Sequence, residues 1–300
     1  MIHDLTDEKK NYKIGMICAL ASMIIWGFLP IYWRALLPID SYVLILYRIV
    51  LSGITCGIIV LCTYGVEALK EPWKDKKMMA KMFISGLLIS INWSTYVYAV
   101  NSGQTIEASI GYFINPLVVC VFGVIFFKDR LTTFKAVSIA FMTIGVIVMI
   151  FHFMRLPIIA LTLAFSFATY ASIKKHLKIK AIVSLFYETM FIAIAAFPII
   201  IYLEATNQGA LHIASQYQLI LLLFSGVLSA TPLIFFSMAA NRISLVSLGI
   251  MGYIAPSISL LIGIFIFREP FDFVQLIACL IIWIGLASFT CGEIKNANRL

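Results

Sequence analysis

Long apolar stretches recur along this chain, and each is long enough as a helix to cross a membrane. A spanning helix needs about 20 apolar residues, because the hydrocarbon core of a bilayer is about 30 Å thick. Helices are expected there because they satisfy their own backbone hydrogen bonds without water. The sequence predicts ten spans, at 15–36, 43–63, 79–100, 107–127, 134–151, 156–173, 182–203, 217–238, 246–267 and 274–292. We therefore expect an all-α membrane protein with ten transmembrane helices.

The composition excludes most other classes of protein. Hydrophobic residues make up 62% of the chain and charged residues 12%, with a mean hydropathy of +1.02, which leaves too little polar surface for a soluble fold. The connections between the predicted spans are too short to hold a soluble domain or a nucleotide-binding cassette. Any energy that the chain uses is therefore expected to come from a gradient.

The second half of the chain repeats residues of the first half at a constant offset of 140 positions. The matching pairs are Tyr47 and Tyr187, Ala99 and Ala239, Asn101 and Asn241, Pro116 and Pro256, Gly123 and Gly263, Phe127 and Phe267, Lys128-Asp129 and Arg268-Glu269, and Gly145 and Gly285. We predict a tail at 1–14, five-helix repeats at 15–151 and 156–292, and a tail at 293–300. Since five is odd, the second repeat is inverted, which is a common build of secondary transporters.

The basic residues indicate the orientation of the chain. All lysines and arginines except Arg34, Arg48, Arg155 and Arg268 fall on the side of the predicted N-terminus. This bias follows the positive-inside rule, so both termini are expected in the cytoplasm. The net charge of +8 is therefore a topology signal, and no nucleic-acid partner is predicted.

Several segments carry a family resemblance. They are Trp26-Gly27 with Leu29-Pro30 and Tyr32-Trp33, the run from Asn92 to Asn101, the run from Glu107 to Leu117 ending in Tyr112-Phe113-Ile114-Asn115-Pro116-Leu117, Leu248-Gly249, Tyr253-Ile254-Ala255-Pro256, and Phe267-Arg268-Glu269-Pro270. Together they resemble the RarD group of the drug/metabolite transporter superfamily, the EamA-type permeases. The resemblance covers nearly the whole chain. It implies two inverted five-helix repeats around a central cavity, and a metabolite or drug permease, often an exporter.

Polar and aromatic residues within the spans are the candidates for a solute site. Asn92, Trp93 and Tyr96 lie near one helix face, and rings beside hydrogen-bonding groups suit a compact amphipathic or zwitterionic solute. Anchoring at the bilayer interface is the alternative for such aromatic residues, and it is what we expect for Trp33. The residues predicted to border the site are Trp26, Asn92, Trp93, Tyr96, Tyr112, Asn115 and Tyr253.

Two prolines at equivalent mid-span positions predict a matched pair of broken helices. Pro116 and Pro256 each remove one helical hydrogen bond and clash with the preceding turn. The freed carbonyl, near Tyr112 or Phe113 in the first half, can accept from a ligand or a neighbouring helix. Broken helices at corresponding positions point to a transport site, although a bent packing helix is the alternative.

Three ionisable residues inside the spans are candidates for a gate or for coupling. A charge within the bilayer costs at least about 2.5 kcal/mol on insertion scales, so each one needs a reason. Arg48 and Glu188 are repeat equivalents and candidates for gate or substrate-charge contacts, for which a snorkelled or locally satisfied helix-end charge is the alternative. Glu107 opens the fourth span and is a candidate proton carrier, although helix capping alone explains a carboxylate there.

The sequence thus predicts a permease of the inner membrane that moves a small solute by alternating access, most simply in the export direction. A passive channel or facilitator is the alternative. An enzyme is not expected, because no carboxylate or histidine cluster is evident, and no cofactor or metal is predicted from the cysteine and histidine spacing. The expected partners are the small-molecule solute, the lipid bilayer and protons as a candidate coupling ion, with the chain as a monomer or a dimer.

Overall fold

The computed structural model describes residues 2–101, 105–153, 158–268 and 272–299, and these residues are helical apart from short connections. The first five helices are α1 (Ile2–Ala35), α2 (Ser41–Tyr64), α3 (Glu67–Lys70), α4 (Lys76–Asn101) and α5 (Thr105–Phe127). They are followed by α6 (Thr133–Phe153), α7 (Ile158–His176), α8 (Ala181–Ala205), α9 (Ala210–Ile213) and α10 (Gln216–Ala240). The chain ends with α11 (Leu245–Met251), α12 (Ile254–Phe265) and α13 (Phe273–Arg299), and a short 3₁₀ helix covers Glu71–Lys74.

Nine helical segments in the described part of the chain are long and apolar enough to cross a membrane. The predicted third span corresponds to α4, which has 26 residues but is not among the nine. Its polar residues Asn92, Ser94 and Thr95 lower its hydropathy. The all-helical membrane fold is therefore confirmed, while the count of ten spans stays a prediction.

The helices at the two ends of the chain extend through the predicted tails. α1 already begins at Ile2, so most of the predicted tail 1–14 continues the first helix. α13 likewise runs on to Arg299, through the predicted tail 293–300. Polar residues extend both helices beyond the apolar stretch, and hydropathy alone does not show where such an extension stops.

The two prolines predicted to break their helices lie in different surroundings, and the kink at Pro116 stays a prediction. α5 is continuous through Pro116. Here the Tyr253 hydroxyl donates to the Phe113 carbonyl at 2.9 Å, and this is one of the two carbonyls that the proline was expected to free. In the second half the predicted ninth span is interrupted at Gly252 and Tyr253, between α11 and α12. Pro256 lies in the first turn of α12, where a missing N–H costs little because those N–H groups have no helical partner.

Equivalent loops after α5 and α12 share an unusual backbone conformation. Lys128 and Arg268, 140 positions apart, are both in the left-handed region, with φ of 52° and 56°. After Lys128, the Asp129 carboxylate accepts from the Val246 N–H at 3.1 Å, at the start of α11. Glu269, the equivalent of Asp129, lies outside the described residues. The loop after α5 thus fixes one helix end against the other half of the chain.

The long helices pack in pairs that join the two halves. α2 packs against α8 and α10, α1 against α10 and α12, α5 against α7 and α11, and α6 against α13. Buried serines link some of these pairs, and the Ser52 hydroxyl of α2 donates to the Gly226 carbonyl of α10 at 3.2 Å. This arrangement brings α1, α2, α4 and α10 together around the side chain of Arg48.

Candidate functional site

The Arg48 guanidinium lies over two indole rings inside the bundle. Its central carbon is 4.1 Å from the ring centre of Trp33 on α1 and 4.9 Å from that of Trp93 on α4. Its Nε donates to the Ser229 hydroxyl on α10 at 3.0 Å. Four helices therefore hold one cation, and stacking on the two rings offsets part of the cost of placing it in the membrane.

Arg48 has no carboxylate partner among the described residues. The ion pairs found there involve other groups, and the side chain of Arg48 is half-buried. A buried arginine is usually matched by an acidic group, since an unpaired charge away from water is costly. This site instead supplies aromatic faces and one hydroxyl, which leaves the positive charge without a matching negative charge.

Two tyrosines complete the aromatic wall beside Arg48. The rings of Tyr96 on α4 and Tyr112 on α5 are 5.5 Å apart and meet edge to face at 64°. Both residues are 38% exposed and lie within electrostatic range of the guanidinium. Arg48, Trp33, Trp93, Tyr96 and Tyr112 are called the Arg48 site below.

Asn115 follows Tyr112 by one helical turn on the same side of α5. Its amide oxygen is buried and accepts no hydrogen bond from any described residue. An unsatisfied buried acceptor costs about 1–3 kcal/mol, so native proteins rarely keep one without a reason. The Asn115 amide oxygen is thus an unsatisfied hydrogen-bond acceptor, one helical turn from Tyr112 of the Arg48 site.

Two predicted site residues have structural hydrogen bonds instead. Asn92 is 5% exposed, and its amide nitrogen donates to the Leu163 carbonyl at 2.8 Å and to the Ser166 hydroxyl at 3.0 Å, both on α7. Tyr253 is fully buried, and its hydroxyl is engaged by the Phe113 carbonyl. Both side chains hold helices together in this conformation.

Trp26 belongs to a second aromatic cluster. Its ring lies 5.9 Å from Phe167 and 5.5 Å from Phe236, which also approach each other to 5.1 Å. Tyr170 stacks on Phe236 at 6.2 Å. These four rings, from α1, α7 and α10, form a packed layer rather than part of the Arg48 site.

Glu188 pairs with a lysine and not with Arg48. Lys174 Nζ lies 2.6 Å from a Glu188 carboxylate oxygen, and both side chains are 0% exposed. Ser184 and Tyr170 also donate to this carboxylate, the latter at 3.3 Å. The predicted sixth span ends at 173, just before Lys174, whereas α7 continues to His176 and carries this lysine into the bundle.

Glu107, the third ionisable candidate, lies in the first turn of α5, but its side chain lies outside the described residues. In the described part of the chain no group of histidine, cysteine or acidic side chains could hold a metal ion. The described geometry therefore consists of a half-buried cation, four aromatic rings and an unpaired amide oxygen.

A sequence model of the EamA-like transporter family matches residues 13–151 of this chain and matches again at residues 155–291. The chain belongs to this family. The two matches together cover most of its length and meet close to the boundary between the two repeats expected from the sequence.

Relatives of this EamA-like chain cover nearly its full length. "Uncharacterized transporter YojE" of Bacillus subtilis (strain 168) is 34% identical, over 94% of this chain and 95% of that protein. "Protein RarD" of Streptomyces exfoliatus is 31% identical, over 97% and 92% of the two chains. "Protein RarD" of Escherichia coli (strain K12) is 30% identical, over 97% and 99%. The chain is therefore a RarD-group, EamA-type permease.

A solved structure shares the fold of this EamA-like chain. It superposes with a TM-score of 0.73 at 16% identity and covers 93% of this chain and 98% of the other. The solved structure supports the fold, while membership of the family makes the protein a multi-pass membrane permease for small solutes and a transporter rather than an enzyme.

Sequence reasoning missed some residues of this EamA-like site and its surroundings. Trp33 was assigned to the membrane interface, yet it stacks on Arg48. The sequence carries no signal for Ser229 on α10, because a serine in an apolar helix is not distinctive. The sequence did contain an indication for Trp33, because this residue follows Tyr32 in a segment that carries the family resemblance.

Proposed function

We propose that this permease is a secondary transporter that carries a small amphipathic or zwitterionic solute through the Arg48 site by alternating access, in the export direction. The observation that supports it best is the convergence of Trp33, Arg48, Trp93 and Tyr112 from four different helices. A solute bound among them would contact several helices at once. Binding could therefore favour one arrangement of those helices over another.

The chemistry of the site supports this class of solute. Four rings offer an apolar contact, the guanidinium offers a positive charge, and the Asn115 oxygen offers an acceptor. Sites for small molecules commonly combine an apolar lining with a few placed polar groups. A purely apolar solute would leave Arg48 and Asn115 without partners.

Contacts between the two halves at both ends of the bundle support a carrier over a channel. The Tyr47 hydroxyl on α2 donates to Glu204 on α8 at 2.6 Å. At the opposite end, the Tyr12 hydroxyl on α1 donates to Glu293 on α13 at 2.7 Å. A carrier would open one set of contacts at a time, whereas a channel needs both ends open together.

The expected setting follows the positive-inside rule. We place the protein in the inner membrane with both termini in the cytoplasm. All residues of the Arg48 site come from one chain, so a monomer suffices, although a dimer is compatible. Protons are the candidate coupling ion. Glu107 is the first carboxylate to test, because Glu188 is already engaged by Lys174.

Transport in proteoliposomes tests this function. Vesicles containing the purified chain are loaded with a small-molecule extract of the expression strain, and the released compounds are measured against protein-free vesicles. A carrier releases some compounds at a rate that saturates with concentration, while single-channel currents in a planar bilayer would indicate a channel. A Glu107→Gln chain that keeps the full pH dependence of transport would exclude Glu107 as the proton carrier.

A further inference from the structure

We propose that Arg48 binds an anionic group of the transported solute, so that the solute is an organic anion with a planar apolar body. Since the inference rests on the proposed transport function, it names the substrate class of the same site. A zwitterion with a carboxylate satisfies this requirement, whereas a neutral or purely cationic solute does not.

The hydrogen-bonding state of Arg48 is the first argument. Its Nε is used by Ser229, and its two terminal nitrogens donate to no described residue. Guanidinium groups present a planar fork of donors that matches a carboxylate or a phosphate in a bidentate manner. The fork of Arg48 is thus the part of the side chain that remains available to a ligand.

The stacking on Trp33 and Trp93 is the second argument. The guanidinium carbon lies over both indole rings, 4.1 and 4.9 Å from their centres, and these contacts with ring faces use none of the hydrogen-bond donors of the group. It also restricts the rotation of the side chain, so that less entropy is lost when an anion binds. A lysine at this position would keep the charge but lose both the stacking and the fork.

Charge balance is the third argument. No carboxylate pairs with Arg48 among the described residues, whereas the fully buried Lys174 has one at 2.6 Å. An anionic solute would supply the missing negative charge while it is bound. A cationic solute would be repelled, so the same residue would select against the opposite class.

The remaining groups define the rest of the solute. Tyr96 and Tyr112 provide exposed ring surface beside the guanidinium, which suits a flat apolar body. The amide oxygen of Asn115, one turn further along α5, has no donor among the described residues. A hydroxyl or amino group on the solute would satisfy it.

The test uses proteoliposomes loaded with the small-molecule extract of the expression strain, with the charge of each released compound assigned by mass spectrometry. The variants are Arg48→Gln, which removes the charge, and Arg48→Lys, which keeps it without the planar fork. Arg34→Gln is the matched control, because Arg34 also lies over an aromatic ring, that of Phe267 at 4.2 Å, but is exposed. Unfolding midpoints in detergent verify that each variant is folded.

We expect the compounds released by the wild-type chain to carry a carboxylate or a phosphate. Arg48→Gln should lower their release at least about tenfold, because a hydrogen bond to a charged group is worth that factor or more. Arg48→Lys should release these compounds at a rate between those of the wild type and Arg48→Gln. Arg34→Gln should release them as fast as the wild type. The released anion should also stabilise the purified wild-type chain against heat, and its methyl ester should not.

Two results would overturn the inference while leaving transport intact. In one, the wild-type chain releases only neutral or cationic compounds. In the other, anions leave equally fast through folded Arg48→Gln. If Arg48→Gln does not fold, stabilisation of the wild type by the ester as much as by the anion would overturn it instead. Wild-type vesicles that release nothing beyond protein-free vesicles would contradict the proposed function itself.

Discussion

Lys174 and Glu188 form a fully buried ion pair, with 2.6 Å between Nζ and the carboxylate oxygen. The lysine comes from the last turn of α7 and the glutamate from the second turn of α8. Ser184 donates to the same carboxylate, so the pair closes a polar network within an apolar bundle. This network joins two consecutive helices at the end of the bundle away from Arg48.

Breaking this pair should destabilise the protein strongly. Glu188→Gln or Lys174→Met leaves one charge buried without its partner, which typically costs about 3–5 kcal/mol. The double variant Lys174→Met, Glu188→Gln should lose clearly less than the sum of the single variants, because no unpaired charge remains. Unfolding in detergent measures all three.

The exposed pair of Lys70 and Glu67 is the matched control for this cycle. Its nitrogen and oxygen are 2.9 Å apart, but the side chains are 64% and 84% exposed. Glu67→Gln should leave the unfolding midpoint nearly unchanged, since water screens such pairs. Additive losses at Lys174 and Glu188 would show that the two residues act independently.

Gly123→Ala should separate α5 from α11. A β-carbon at this position would lie 2.8 Å from the Asp129 carboxylate and 2.9 Å from the Val246 backbone nitrogen, and the backbone atom cannot move cheaply. Overpacking of this kind typically costs about 1–3 kcal/mol. Thermal unfolding in detergent should therefore show a lower midpoint for this variant.

Gly53→Ala is the control for the extra methyl group. Its β-carbon would meet the sulfur of Met190 at 3.0 Å, the flexible part of a side chain that can shift. Alanine is also the better helix former, by roughly 0.5–1 kcal/mol. We expect this variant to be near the wild type or more stable, and equal losses in the two variants would contradict the assigned role of Gly123.

Tyr253→Phe should remove the hydrogen bond that accompanies the continuous path of α5 through Pro116. The Phe113 carbonyl would then lack its donor in a buried position, at a cost of about 1–3 kcal/mol. Tyr202→Phe is the control, because Tyr202 is 65% exposed. If the two variants unfold at the same temperature, the bond from Tyr253 does not contribute to stability.

We predict that the stability of the folded state depends on pH through Asp272, at the start of α13. Its carboxylate accepts from the Gln275 N–H at 2.9 Å, and this bond lowers the pKa of Asp272, with a smaller effect from His152. A lowered pKa stabilises the folded state above the ordinary aspartate pKa, and this contribution is lost as the pH falls through the folded value. Asp272→Asn should therefore reduce the unfolding midpoint at pH 7 and make less difference in acid. A difference that grows in acid would contradict this assignment.

The helices could be predicted well from the sequence, because apolar length directly reflects membrane thickness. α2 at Ser41–Tyr64 was expected at 43–63, and α10 at Gln216–Ala240 was expected at 217–238. The position of the interruption between α11 and α12 could not be predicted. The sequence suggested a break at Pro256, but the helix is interrupted at Gly252 and Tyr253. A proline is tolerated in a first turn, so the break falls before it.

The candidate site was harder to predict, because periodicity places residues on a helix face but does not pair the faces. Trp93, Tyr96 and Tyr112 do come together in the structure, and Arg48 joins them. Asn92 is on a suitable face as well, yet its amide is used by Leu163 and Ser166. Whether a polar group is already hydrogen-bonded depends on which residues the neighbouring helix presents to it. Those residues are distant in the sequence, so the sequence around the polar group does not show them.

Metabolite release from cells tests the transport account most directly. Cells overproducing the wild-type chain are compared with cells overproducing the double variant Tyr112→Ala/Asn115→Ala. Cells overproducing Tyr202→Ala are the control, because this tyrosine lies outside the site. Medium and cytosol are profiled together. The account predicts that one class of solutes leaves the wild-type and Tyr202→Ala cells and is retained in the double variant. Equal release by the double variant at equal membrane abundance would contradict it.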